Sequence, residues 1–276
     1  TVEDIEIFVA TRTYTYDANG NVLTDANAAI AKTATYSYDA NENQLTKSWY
    51  NDADGLPDEI ITYTYDANGN KLTESYDSDA DGLPDDITTY TYDAGGNMLT
   101  VSYEYGAVSL ANGEENSIAK STYDANGNRL TESYDHNGNG TIDSIITNTY
   151  DANGNPLIIR SDNDANGTAN FVTTSTYDAN GNQLTNSYDD NGNGTVDSIS
   201  TWTYDASGNL LTYSFDDNGD GLPNQFSTWT YDAYGNMLTY SPDDNGDGTI
   251  DSIITNTYDA NGNKLTFSDD RDADGV

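Results

Sequence analysis

The sequence predicts an all-β protein: an elongated antiparallel array of β-hairpins, as a meander or a spiralling sheet, with a 27-residue period. Three observations carry that prediction. The first is the dipeptide Tyr-Asp leading into a tight turn. It begins at Tyr16, Tyr38, Tyr65, Tyr92, Tyr123, Tyr150, Tyr177, Tyr204, Tyr231 and Tyr258, at intervals of 22, 27, 27 and 31, then 27 five times over. A constant period of this length marks a repeat architecture. The second is a loop, D-x-[DN]-x-[DN]-G-x-x-[DN], that recurs between successive Tyr-Asp turns. The third is what lies between turn and loop: short runs of Thr, Tyr, Ile and Val with period-2 alternation, which are strand signals.

One repeat shows the elements in order. From Tyr123 it reads Y-D-A-N-G-N-R-L-T-E-S-Y, then the acidic loop, then S-I-I-T-N-T. Arg129–Tyr134 is an incoming strand and Ser144–Tyr150 an outgoing one. In the outgoing strand Ile145, Thr147 and Thr149 share one face, and Ile146, Asn148 and Tyr150 share the other. Asp151-Ala152-Asn153-Gly154-Asn155 then reads as a hairpin turn, with Gly supplying the positive φ of a type I turn plus bulge. Residues 1–15 are expected to form an N-terminal strand, 16–268 ten tandem hairpin repeats and 269–276 a C-terminal half loop. No linker or compositional break divides the array.

The loops carry the candidate chemistry. Oxygen side chains at positions 1, 3, 5 and 9, a Gly at 6 and a backbone carbonyl at 7 are how a chain wraps a hard cation such as Ca²⁺. One loop offers Asp77, Asp79, Asp81, the Leu83 carbonyl and Asp85. The next offers Asp135, Asn137, Asn139, the Thr141 carbonyl and Asp143. Then come Asp162, Asp164, Asn166, Thr168 and Asn170, and Asp189, Asn191, Asn193, Thr195 and Asp197. The last complete pair is Asp216, Asn218, Asp220, Leu222 and Asn224, with Asp243, Asn245, Asp247, Thr249 and Asp251. A degenerate copy, Tyr50–Asp58, keeps Asp52, Asp54 and Asp58. A final copy stops after Asp270, Asp272, Asp274 and Gly275. The chain begins Thr1-Val2-Glu3-Asp4-Ile5, which matches the missing half of that loop, with Glu3 at position 9. Head-to-tail assembly by strand addition, one subunit completing the loop of the next, is the expectation. Two connections lack the spacing, Asp25–Ala29 and Gly106–Asn116, and no cation is expected there.

Charge and composition narrow the function. The chain has 276 residues, 47 Asp+Glu against 9 Lys+Arg, and a formal net charge of −38. Nucleic acid and anionic membrane surfaces are repelled by such a chain. No apolar run reaches the length of a membrane span. The absence of Cys leaves no disulfides to hold the fold. The chain starts with Thr and without a charged, then apolar, leader, so it reads as a processed or fragmentary product. Carboxylates recur with the repeat, whereas an active site is a unique constellation. The only His, His136, sits at position 2 of a loop, where side chains face solvent. No Ser-His-Asp set, Cys nucleophile, phosphate loop or zinc spacing is present, so no enzyme activity is expected. Asn139, Asn166 and Asn193 begin N-glycosylation sequons, but each stands at loop position 5. The Tyr and Trp stripe is read as cross-strand packing.

The stretch Tyr65-Asp66-Ala67-Asn68-Gly69-Asn70-Lys71-Leu72 resembles the YD/Rhs repeat of large bacterial surface and toxin-shell proteins, and the likeness extends over all ten repeats. It implies antiparallel strand pairs that coil into a spiralling sheet. The inserted loop is similar instead to the hairpin loops of integrin-type propellers and to thrombospondin type 3 repeats. It has Ile146, not an acid, at position 12, unlike an EF-hand. The reading is a structural subunit of a Ca²⁺-stabilised extracellular bacterial filament or matrix fibre. The alternative is the stalk or ligand-binding region of a surface adhesin, meeting glycans or a cell surface, or a shell protein of the Rhs type. Loops with few carboxylates need abundant Ca²⁺, which places the chain outside the cell.

Overall fold

The computed structural model describes residues 12–28, 31–51, 54–106 and 116–273. They hold twenty β-strands and no helix, and every strand pair whose register is defined is antiparallel. The chain divides into two units, Thr1–Tyr123 with Glu132–Asp143, and Asp124–Thr131 with Ser144–Val276. The first unit contains β1 (Arg12–Tyr16), β2 (Val22–Asn27), β3 (Lys32–Tyr38), β4 (Gln44–Tyr50), β5 (Glu59–Tyr65), β6 (Lys71–Asp77), β7 (Asp86–Tyr92), β8 (Met98–Tyr105) and β9 (Ser117–Tyr123). β10 (Arg129–Asp135) is next in the chain. The second unit contains β11 (Ser144–Tyr150), β12 (Pro156–Asp162), β13 (Phe171–Tyr177), β14 (Gln183–Asp189), β15 (Ser198–Tyr204), β16 (Leu210–Asp216), β17 (Gln225–Tyr231), β18 (Met237–Asp243), β19 (Ile253–Tyr258) and β20 (Lys264–Asp270). Within each unit a strand packs on its neighbours in sequence, as a meander requires.

The Tyr-Asp turn closes one end of every hairpin, and its Asp organises it. In Asp151–Asn155 the Asp151 N–H donates to the Asn155 carbonyl at 2.9 Å and Gly154 N–H to the Asp151 carbonyl at 3.2 Å. The Asp151 carboxylate accepts from the N–H of Asn153 and Asn155 and from the Asn155 side-chain amide, at 2.8 to 2.9 Å. The register slips by one residue between Thr149 and Tyr150, a bulge. Gly154 has φ +86, the left-handed region that Gly adopts without steric cost. The same bonds recur from Asp17 to Asp259. In the second turn Glu42 stands where the others have Gly, at φ 69, and the Asp39 bonds hold it there.

In four of the repeats the Tyr joins one hairpin to the preceding one. Tyr65 donates its hydroxyl to the Gln44 carbonyl at 2.9 Å. Tyr38 does so to Val22 and Tyr123 to Met98, both at 3.0 Å, and Tyr150 to Arg129 at 2.9 Å. Tyr and Asp are adjacent because one ties hairpin to hairpin and the other ties the hairpin to itself.

Packing runs from strand to strand, not from layer to layer. Among the described residues only Ala34, Val101 and Pro242 are buried apolar side chains. One face carries a ladder of hydroxyls, whose oxygens meet across hairpins at 2.6 to 2.7 Å from Thr15–Thr24 to Thr257–Thr266. The other face carries the tyrosines and tryptophans. Trp202 lies opposite Tyr213 and Trp229 opposite Tyr240, with ring centroids 5.6 and 4.9 Å apart. The stripe is therefore cross-strand packing on a single layer.

Candidate metal centre

Each acidic loop begins with the last residue of an incoming strand. That residue, Asp77, Asp135, Asp162, Asp189, Asp216 or Asp243, is buried. Burial of a carboxylate is costly unless its oxygens are bonded. Here they accept from the backbone of their own loop. Asp77 takes the N–H of Asp81 at 3.2 Å and of Gly82 at 2.9 Å. The Gly at position 6 donates in the same way at 2.7 to 2.8 Å in the five other loops. These bonds hold the Asp216 carboxyl below its usual range: burial pushes it up, and the N–H groups of Gly221, Asn218, Gly219 and Asp220 outweigh that. Asp162 is lowered too: burial pushes it up, and the Gly167 N–H, the Asp164 side chain and the N–H groups of Asn166 and Asp164 outweigh that.

The remaining loop residues close the frame. The N–H at position 9 donates to the carbonyl before position 1, as Asp85 does to Tyr76 at 2.7 Å. The side chain at position 9 accepts from the N–H at position 2 at 2.6 to 2.8 Å, whether it is Asp85, Asp143, Asn170, Asp197, Asn224 or Asp251. Position 5 accepts from the N–H at position 7, as in Asn139 to Thr141, Asn166 to Thr168, Asn193 to Thr195, Asp220 to Leu222 and Asp247 to Thr249. Asn stands in for Asp at positions 5 and 9 because either supplies the acceptor.

The loop with four acids brings three of them together in a group that could hold a metal ion. Carboxylate oxygens of Asp77, Asp79 and Asp85 lie within 4.8 Å of one another. Two oxygens on opposite sides of a Ca²⁺ ion, each bonded at about 2.4 Å, are about 4.8 Å apart. The separation and the all-oxygen, anionic donor set fit a hard divalent cation. Asp81 is not of this group; its Oδ1 accepts from Leu83 N–H at 2.8 Å. Asp85 also accepts from the Ser78 hydroxyl at 2.6 Å, and that bond, with the Ser78 N–H, holds its carboxyl below the usual range.

Elsewhere the described carboxylates do not converge in this way. Asp243, Asp247 and Asp251 share a loop without forming such a group. The loops from Asp135, Asp162, Asp189 and Asp216 supply two carboxylates each and otherwise amides. In the degenerate loop Asp58 accepts from Asn51 N–H and Asp54 from Leu56 N–H, while Asp52 lies outside the described residues. Asp270 ends β20 and Asp272 beyond it is exposed; Asp274 and Glu3 lie outside the described residues. So does most of the Gly106–Asn116 connection. In the Asp25–Ala29 connection Asp25, on β2, forms an ion pair with Arg12, and Ala29 lies outside the described residues. His136 is exposed, as its loop position predicts, and its ring also stacks flat on Tyr134, with centroids 5.6 Å apart.

One functional position was missed by sequence reasoning. Position 4 is in the left-handed region in every complete loop, from φ 49 at Ala165 to 68 at Gly246. In the second unit a Cβ on Gly192, Gly219 or Gly246 would meet the carbonyl oxygen of Ala169, Val196 or Pro223 at 1.7, 2.2 and 2.1 Å. Each of these loops therefore rests on position 8 of the loop before it. The signal was present as Gly at position 4 in four loops and Ala in two, but the repeat pattern assigned it no role.

With this geometry in hand the likeness to known proteins has a structural basis. Residues 65–108 match the profile of the RHS repeat. Over that stretch the chain carries the RHS repeat. Among solved structures it is similar to the TcdB2-TccC3 complex without its hypervariable C-terminal region, with TM-score 0.52 at 16% identity over 96% of this chain. A second TcdB2-TccC3 crystal structure, designated TcdB2-TccC3-TEV, gives TM-score 0.50 at 17% identity over 94%. The chain spans 15% of each of those chains, and the likeness is one of fold. No curated protein matches it.

Proposed function

We propose that this RHS-repeat chain is a non-catalytic structural element of an extracellular bacterial protein, and that its acidic loops bind Ca²⁺. The observation that carries the reading is the Asp77, Asp79 and Asp85 group within a loop frame repeated along the sheet. A single-layer sheet has little apolar burial to stabilise it. An ion that binds only the folded loop adds about 2.7 kcal/mol at a hundredfold excess over its dissociation constant. It also offsets repulsion in a chain of formal charge −38. Removal of Ca²⁺ with EDTA should lower the melting temperature, and re-addition should restore it. An unchanged melting temperature overturns the cation reading. Replacing Asp77, Asp79 and Asp85 with Asn should remove the tightest part of the response.

The structural role takes two forms. As a wall or stalk segment of a larger Rhs-type shell or adhesin, the sheet is one stretch of a longer repeat; its likeness in fold to TcdB2-TccC3 supports this form. As a head-to-tail filament, Asp270, Asp272 and Asp274 of one subunit and Glu3 of the next share one Ca²⁺ and continue the sheet. Electron microscopy in millimolar Ca²⁺ separates them: regular fibres, lost when the three Asp become Asn, support the filament, and unassembled monomers support the segment.

A further inference from the structure

Comparison of the hairpins with one another shows which positions the fold holds constant. The turn Asp, the bridging Tyr, the hydroxyl pair and the position 1 Asp recur. The central pair of the opposite face does not. It is Tyr14 with Asp25, Tyr36 with Lys47, Tyr63 with Glu74, Tyr90 with Val101, Asn148 with Ile159, Ser175 with Asn186, Trp202 with Tyr213, Trp229 with Tyr240 and Asn256 with Phe267. A site that tolerates Ser–Asn and Trp–Tyr alike is not set by folding.

Where this position holds a ring, the chain repeatedly lays one of its own cations on it. Lys47 Nζ lies 5.8 Å from the Tyr36 centroid and 4.3 Å from that of Trp49. Lys71 lies 4.7 Å from Tyr63, Lys264 5.8 Å from Phe267, and Arg12 5.5 Å from Tyr14. Three of the five lysines in the chain are used in this way. Among the described residues no cation lies over the largest ring pairs. Trp202, Tyr213, Trp229 and Tyr240 stand half-buried on four consecutive strands, β15 to β18. They lie in a stretch, residues 161–263, with sixteen Asp and no Lys, Arg, Glu or His. Carboxylates border the strip at both strand ends, in the Asp205 and Asp232 turns and in the loops from Asp189, Asp216 and Asp243.

We propose that the strip formed by Trp202, Tyr213, Trp229 and Tyr240 docks a basic, lysine-rich segment of a partner polypeptide. The ammonium groups lie on the rings, as Lys47 does on Trp49, and the flanking carboxylates supply the long-range attraction. Charge complementarity selects this partner: sixteen Asp without one base repel an acidic ligand, and a neutral glycan would make no use of them. Docking does not require the bordering loops to be free of Ca²⁺, because the Asp205 and Asp232 turns border the strip at the other strand end.

The test uses the full chain and octalysine, followed by tryptophan fluorescence and calorimetry at fixed salt, with cellohexaose as the neutral comparator. The variant Trp202→Ser, Tyr213→Asn, Trp229→Ser and Tyr240→Asn installs the Ser175–Asn186 pair that the fold already accepts and keeps every carboxylate. Octalysine should bind the parent chain and bind this variant about tenfold more weakly, as the loss of two cation–π contacts implies. The milder pair Trp202→Phe and Trp229→Phe retains rings and guards against misfolding of the first variant; it should weaken binding a few-fold. Equal octalysine affinity in a folded variant shows that carboxylates alone attract the peptide and overturns the proposal. Cellohexaose binding that is lost in the variant, with octalysine unaffected, overturns it in favour of a glycan.

Discussion

At the residue scale the Tyr-Asp dipeptide divides two tasks. The Asp closes its own turn with bonds from two N–H groups and one amide. The Tyr reaches back to the preceding hairpin. Tyr65→Phe leaves the ring and removes the donor to Gln44, and should cost about 1 kcal/mol in chemical denaturation. Gly154→Ala places a side chain at φ +86, with its Cβ 3.3 Å from the Asn128 Oδ1. It should cost about 1–2 kcal/mol, the usual penalty for a left-handed L-residue. The turn carboxyls also set the response to acid. In Asp66, Asp151 and Asp232 the partner Asn side chain, with backbone N–H groups, holds the carboxyl below its ordinary value. A depressed folded pKa gives stability that is full above the unfolded value, about 3.9, and is lost as pH falls through the folded one. Stability to urea should therefore hold down to about pH 4 and fall steeply below it. A chain that gains stability between about pH 4 and pH 2.5 would show that relief of charge repulsion outweighs the turn bonds.

At the scale of the element the hairpin is the unit, and its length matters more than its content. Excision of residues 177–203 removes one period from the second unit and rejoins like to like. The shortened chain should fold, because a repeat contacts only its neighbours. A deletion one residue shorter leaves an extra residue in the joined strand and should destabilise that strand and its neighbours, because a one-residue slip turns its side chains to the opposite face. Circular dichroism and proteolysis distinguish the two. Gly192→Ala tests the contact between loops. It meets a carbonyl at 1.7 Å and should destabilise by more than the φ penalty alone, whereas Gly194→Ala, which meets nothing within 4 Å, should show only that penalty.

At the scale of the whole molecule the sheet stands without a conventional core, so bonding along the backbone replaces layer packing. The period, the strands, the turn bulge and the loop positions were legible in the sequence, since each depends on residues a few positions apart: Gly at positive φ, Asp before its acceptors, alternation along a strand. Three features were decided only by contacts that the folded chain makes. Asp79 joins Asp77 and Asp85 while Asp81 turns to Leu83, because within-loop hydrogen bonds compete for the same carboxylates. Gly at position 4 makes room for the loop before it, one repeat away. The Trp and Tyr pairs lie on one uncovered face, because among the described residues no second layer packs onto the strands. Local chemistry determined what each repeat is; the stacking of one repeat on the next determined which of its groups are left to bind something else.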